Sequence, residues 1–104
     1  MKNCVLSAGF LVFSLACAPV IANEEADDSG FTYDDKLASC AACHGENGDK
    51  PLAPDYPILA GQYPDYLEAA LKAYRSGRRQ NPIMAAQVEM LQLSDDDISK
   101  LAAH

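Results

Sequence analysis

Apolar side chains recur at helical spacing in several stretches of the chain, and glycine, proline and small polar residues separate them. The clearest stripe is Tyr63, Leu67, Ala70, Leu71 and Tyr74. Pro64 suits the first turn of that helix, Asp65 and Glu68 favour its positive end, and Arg75 lies near its negative end. Gly77 stops it. Upstream, Thr32 with Asp35 three residues on forms an N-cap pair. It predicts a short helix from about Tyr33 to Cys40 with Phe31, Leu37 and Tyr33 as its apolar contacts. Downstream, Ser94 with Asp97 predicts a last helix whose inner face is Ile98, Leu101 and Ala102. A weaker helical stretch, Ala85 to Leu91, carries Val88 and Leu91 inward. Between them, Gly45, Gly48, Pro51, Pro54, Pro57 and Gly61 mark a long ordered loop anchored by Ile58-Leu59-Ala60. Arg78 to Pro82 form a second loop leading to Ile83-Met84. No strand pattern and no repeat appears, so the fold class is all-α with three to four short helices.

The first part of the 104-residue chain does not belong to this domain. Lys2 precedes an apolar run from Val5 to Ala16, and the run closes on Pro19-Val20-Ile21-Ala22 before Asn23. This pattern predicts an export signal over residues 1–22, cleaved after Ala22. Ala16-Cys17-Ala18 offers another small-x-small cleavage site, which the following Pro19 disfavours; Cys17 also suggests a lipid anchor as the alternative, but Ser14 stands where such a site favours leucine. Residues 23–30 carry Glu24, Glu25, Asp27 and Asp28 without a large apolar side chain and read as an acidic flexible leader. The folded domain is expected over 31–104. Removing residues 1–22 deletes Lys2 and no acid, which takes the net charge from −7 to −8. So acidic a chain lacks the clustered cations that phosphate backbones require, which argues against a nucleic-acid partner.

Export also changes the meaning of the cysteines. Cys4 and Cys17 leave with the signal, so only Cys40 and Cys43 remain and a disulfide framework is excluded. A CxxC pair alone fits zinc, a redox disulfide or haem. In Cys40-Ala41-Ala42-Cys43-His44 a histidine follows directly, and that is the attachment pattern of c-type haem. Each thiol can add across one porphyrin vinyl group, and His44 is then held beneath the iron as a proximal ligand. A domain this small struggles to build an adequate core unaided, and a buried haem would supply apolar surface.

With that motif in place, the chain resembles the class I cytochromes c, and among them the bacterial single-haem proteins of the cytochrome c553/c5 and c4-domain kind. The resemblance rests on Cys40 to Gly45, Pro57-Ile58-Leu59-Ala60-Gly61-Gln62, Tyr74 to Arg79, Asn81-Pro82-Ile83-Met84, and Leu93 to Ile98 continuing through Leu101-Ala102. It implies a small cytochrome c fold wrapped around one covalently attached haem c, bound through Cys40 and Cys43. It further implies His44 and Met84 as axial ligands. Met84 is placed in a loop between helices, whereas Met90 lies at helical spacing and reads as packing. The Pro57 carbonyl is expected to accept a hydrogen bond from the His44 ring, fixing its orientation. Arg78 and Arg79 could pair with a haem propionate, with a partner's acidic face, or simply form a solvated loop. His104 is expected to be solvated. In the family the last helix usually runs on beyond Leu101-Ala102. The stop at His104 implies a clipped sequence or a weaker contact between last and first helices.

These expectations converge on a periplasmic electron-transfer protein rather than an enzyme, shuttling single electrons between transient redox partners. Membrane contact is expected only through partner complexes or the alternative anchor at Cys17. The competing reading is the haem c electron-accepting subunit of a periplasmic dehydrogenase or other redox enzyme.

Overall fold

A computed structural model describes Gly9 and residues 28–104. The rest of the expected export signal, and leader residues 23–27, lie outside the described residues. Four helices and no strand occur among the described residues: α1 Tyr33–His44, α2 Pro64–Ser76, α3 Pro82–Met90 and α4 Asp95–Ala103. None of them is long and apolar enough to cross a membrane.

Both expected capping boxes form. Thr32 accepts from the Asp35 backbone N–H at 3.2 Å, and Thr32 N–H donates to the Asp35 carboxylate at 2.9 Å. Ser94 and Asp97 repeat the exchange at 3.1 and 2.9 Å. Each box satisfies two orphan N–H groups of the first turn.

Two boundaries differ from the sequence expectation. α1 does not end at Cys40 but runs on through His44 to Gly45, whose N–H donates to the Ala41 carbonyl at 2.9 Å. Ala41 and Ala42 are strong helix formers, so nothing stops the helix before that glycine. α3 likewise begins at Pro82 rather than Ala85. Asn81 caps it by accepting from the Ile83 and Met84 N–H groups at 3.0 and 3.1 Å. Pro82 sits at the first helical position, where its missing N–H is harmless. Met84 therefore lies in the first turn of a helix and not in a loop.

The core is formed where α3, α4 and the turn between them meet α2. Val88, Leu91, Leu93 and Ile98 are buried together, with Leu71, Tyr74 and Leu101 packed against them. Ile98 is fully enclosed at 0% exposure, and burial of such a side chain stabilises by about 2 kcal/mol. Arg75 of α2 donates to the Leu93 carbonyl at 3.1 Å and pairs with Asp95, tying α2 to the start of α4. The apolar face of α2 is narrower than expected: Tyr63, its N-cap residue, is 75% exposed. Phe31 and Met90 are exposed as well, so neither packs in the core. α1 is joined to α4 by polar contacts. Lys36 Nζ lies 2.8 Å from Asp97 Oδ2, and the Tyr33 hydroxyl donates to the Lys100 carbonyl at 3.5 Å.

Candidate cofactor site

Cys40, Cys43 and His44 all lie on the last turns of α1, at spacings that put them on one side of the helix. Both cysteines are half-buried free thiols. Burial pushes the Cys40 thiol above its ordinary range, and a negative charge at Cys43 would push it further. A hydrogen bond to its own backbone offsets this only in part. No group of three or more His, Cys, Asp or Glu side chains among the described residues is arranged to hold an ion.

His44 is 6% exposed. Its Nδ1 lies 2.9 Å from the Pro57 carbonyl oxygen. A carbonyl can only accept, so this contact assigns the proton to Nδ1 and leaves Nε2 with its lone pair. The Tyr56 ring stands edge-on to the imidazole, with centroids 6.3 Å apart. Ring orientation and tautomer are thus fixed from the loop side.

The loop from Gly45 to Gln62 reaches that position through its own backbone bonds. Leu52 N–H donates to the Cys43 carbonyl at 2.9 Å. The Gly48 carbonyl accepts from both Leu59 and Ala60, at 2.8 and 3.0 Å. Gly45 is required at the start. Its φ is +94°, and a Cβ there would lie 2.6 Å from the Lys50 carbonyl oxygen. Only glycine permits both the conformation and the approach.

A cavity of about 390 Å3 opens beside His44, walled by apolar side chains that include Leu37, Ile58, Leu59, Leu67, Leu71 and Leu101. A second, of about 150 Å3, adjoins it. Cys40, His44, Pro57, Tyr74 and Met84 line both. Cys43 lines the smaller one, and Met90 lines neither. Ile58-Leu59-Ala60, expected as the loop's apolar anchor, forms part of the cavity wall, and Ile58 is largely exposed. Leu67, Ala70, Leu71 and Tyr74 remain only partly buried for the same reason: the stripe of α2 faces the cavity. The two arginines separate. Arg79 lines the larger cavity, whereas Arg78 turns away and donates to Ser76 Oγ at 3.3 Å. His104, expected in solvent, is exposed but also lines the cavity wall.

An apolar slot carrying two thiols, a tautomer-fixed imidazole and a thioether at its walls fits a porphyrin with iron at its centre. The fold and site thus define a small all-α haem redox domain. The cytochrome c family model matches residues 33–104, and the chain belongs to that family. Its cofactor is haem c, covalently attached through Cys40 and Cys43, and its biochemistry is electron transport. Cytochrome c-554(548) of Halomonas halodenitrificans is 49% identical over 72 residues, spanning 68% of this chain and 86% of that protein. A cytochrome c-553 of Helicobacter pylori is 32% identical over 104 residues, 100% of this chain and 95% of the relative. A Stutzerimonas stutzeri protein named thiosulfate dehydrogenase electron acceptor is 40% identical over 65 residues, 62% of this chain but only 29% of its own length.

Proposed function

We propose that this chain is a periplasmic one-electron carrier whose haem iron is held by His44 on one side and Met84 on the other. The observation that carries this reading is that both side chains line the same pair of adjoining cavities, next to the two thiols. The haem, when bound, supplies an iron that cycles between ferric and ferrous states.

The protein's own residues then do three things. His44, with Nδ1 engaged by Pro57 at 2.9 Å, presents Nε2 as a ligand of fixed orientation. Met84 offers a soft, neutral sulfur that favours ferrous iron and raises the reduction potential relative to a second imidazole. The apolar walls exclude water from the iron. His44 and Met84 would together hold the iron and leave no place for a substrate at it, which favours a carrier over a catalyst. The test is the far-red sulfur-to-iron charge-transfer band of the ferric protein. It is expected in the wild type and absent in Met84→Ala; a band that survives the substitution sinks the ligand assignment.

Periplasmic placement is supported by the sequence pattern of residues 1–22, with the acidic leader at 23–30 and the haem domain over 31–104. N-terminal sequencing of the exported protein should begin at Asn23. A start at Cys17 would instead establish the lipid anchor. Transient redox proteins are the partners this reading implies. The second reading, an electron-accepting subunit of a dehydrogenase, is favoured by the name of the Stutzerimonas relative. A larger catalytic partner that co-purifies stoichiometrically would establish it.

A further inference from the structure

Behind the cavity wall lies a pair of charges that the ligand set does not use. Lys36 Nζ lies 2.8 Å from Asp97 Oδ2, with 1% and 13% of the two side chains exposed. The other ion pairs between described residues, Glu68–Lys72, Arg75–Asp95 and Asp96–Lys100, are a third or more exposed. Lys36 precedes Cys40 by one turn of α1 and His44 by about two, and Asp97 precedes Leu101 by one turn of α4. Cys40, His44 and Leu101 all line the larger cavity. Both charges therefore sit one turn back from the wall, on two of the helices that build it.

Burial decides how far these charges reach. Water and salt screen an exposed pair, but a buried charge acts through a medium of lower effective dielectric. Burial acts to raise the Asp97 pKa, yet the hydrogen bonds from Lys36 and Ser94 outweigh it and keep the carboxyl ionised. The pair is neutral as a whole, and removing either member leaves one uncompensated charge beside the site. Reduction adds one electron from a redox-protein partner to ferric iron, with no bond made or broken, and lowers the charge in the cavity by one. A nearby negative charge opposes that step and a positive charge favours it. We propose that Lys36 holds the reduction potential up by neutralising Asp97, so that no net charge faces the iron from behind α1 and α4. The proposal rests on the haem occupying this cavity, as the preceding reading requires, but not on which residue is the second axial ligand.

The measurement is the midpoint potential of the intact haem protein by spectroelectrochemistry at about pH 6.5, between the ordinary titration ranges of carboxylates and lysines. Lys36 stands about 12 Å of helix from His44. At that distance and an effective dielectric of about 20, one unit charge changes the redox equilibrium about tenfold, or about 59 mV for one electron. Lys36→Met, which keeps most of the side chain's length, should lower the potential by about that much. Asp97→Asn, whose amide oxygen can still accept the Ser94 N–H, should raise it. The double variant should return it close to the wild type. Lys100→Met breaks an exposed pair on α4 and should leave the potential in place. Opposite signs for the two single variants are what an effect of charge requires, because a loosened structure that admits water to the site moves both in one direction. Shifts of equal sign, no shift in Lys36→Met, or an equal shift in Lys100→Met overturn the proposal. If Lys36→Met fails to fold, Asp97→Asn carries the test, and a potential that does not rise in it is fatal. Unfolding of the two oxidation states is the independent check: Lys36→Met should destabilise the ferrous form more than the ferric, by the same factor of about ten. A wild type without a haem spectrum would instead sink the haem-site reading, which keeps the two failures distinct.

Discussion

Lys36, on the helix that carries the haem motif, places its ammonium 2.8 Å from the Asp97 carboxylate of α4, and only 1% of the lysine side chain is exposed. The same Asp97 oxygen accepts the Ser94 backbone N–H at 2.9 Å. One carboxylate thus caps α4 and fastens it to α1. Buried ion pairs add little over apolar packing, but breaking one leaves an uncompensated charge. Lys36→Ala should therefore destabilise the protein by about 3 kcal/mol, read by denaturant unfolding of the ferric form. In Lys36→Met/Asp97→Asn neither group keeps a charge, and the loss should be smaller than the two single losses added together. A loss below about 1 kcal/mol for Lys36→Ala would place this contact with ordinary surface pairs.

The pH dependence of that contact follows from Asp97. Burial acts to raise its pKa, but the Lys36 hydrogen bond, the two Ser94 hydrogen bonds and the Lys36 charge together outweigh it and hold the carboxyl below its usual value. A carboxyl depressed in the folded state contributes stability above its unfolded pKa of about 3.9, and loses it as pH falls through the folded value. The stability gap between wild type and Asp97→Asn should thus be constant near neutrality and narrow below about pH 4. Denaturation curves across that interval check it. A gap that instead widened toward acid would give Asp97 the opposite sign.

How far the sequence discloses such features depends on the range of the interaction. The capping boxes at Thr32 and Ser94 are local, with donor and acceptor three residues apart, and both form as the pattern implies. The haem motif is local too. Val88, Leu91 and Ile98 follow from periodicity. The Lys36–Asp97 contact spans 61 residues, and nothing in a helical pattern marks a lysine as the most enclosed residue of its helix. Some local signals are ambiguous: Asn81-Pro82 has the composition of a loop but forms a cap followed by a first-turn proline, which puts Met84 in the helix. Tyr63 and Met90 fit apolar stripes yet are exposed, because periodicity tells which face a residue is on, not whether anything covers it.

Gly45 tests whether the loop positions His44. A Cβ there would lie 2.6 Å from the Lys50 carbonyl oxygen, at a φ of +94° that side chains resist. Gly45→Ala should cost about 2–3 kcal/mol and lower the melting temperature by roughly 10 °C. The displaced loop should also disturb the Pro57 contact, seen as a shift in the His44 ring-proton NMR signals. An alanine variant with wild-type melting and unshifted signals would show that the loop adapts without strain.

Pro57 makes the complementary case. Its contribution to His44 is a main-chain carbonyl, so substituting the side chain leaves the acceptor in place. Pro57→Ala should retain the wild-type visible spectrum and a potential close to the native one, with a stability loss of about 1 kcal/mol or less from the freer unfolded chain. A large potential shift in that variant would mean the ring itself, rather than the carbonyl, controls the site.

The two methionines among the described residues give the sharpest contrast. Met84 is half-buried in the first turn of α3 and lines both cavities, while Met90, at the other end of the helix, is 55% exposed and lines neither. Because a thioether stabilises ferrous iron, Met84→His should lower the reduction potential by on the order of 0.1 V or more, within the range over which axial ligands tune haem. Met90→Ala should leave the potential, the charge-transfer band and the melting temperature unchanged, since its side chain fills no cavity. Redox titration of the two variants beside the wild type decides between them. Equal potentials in all three would remove Met84 from the iron, and a shift confined to Met90→Ala would transfer the role to a residue the fold holds away from the cavity.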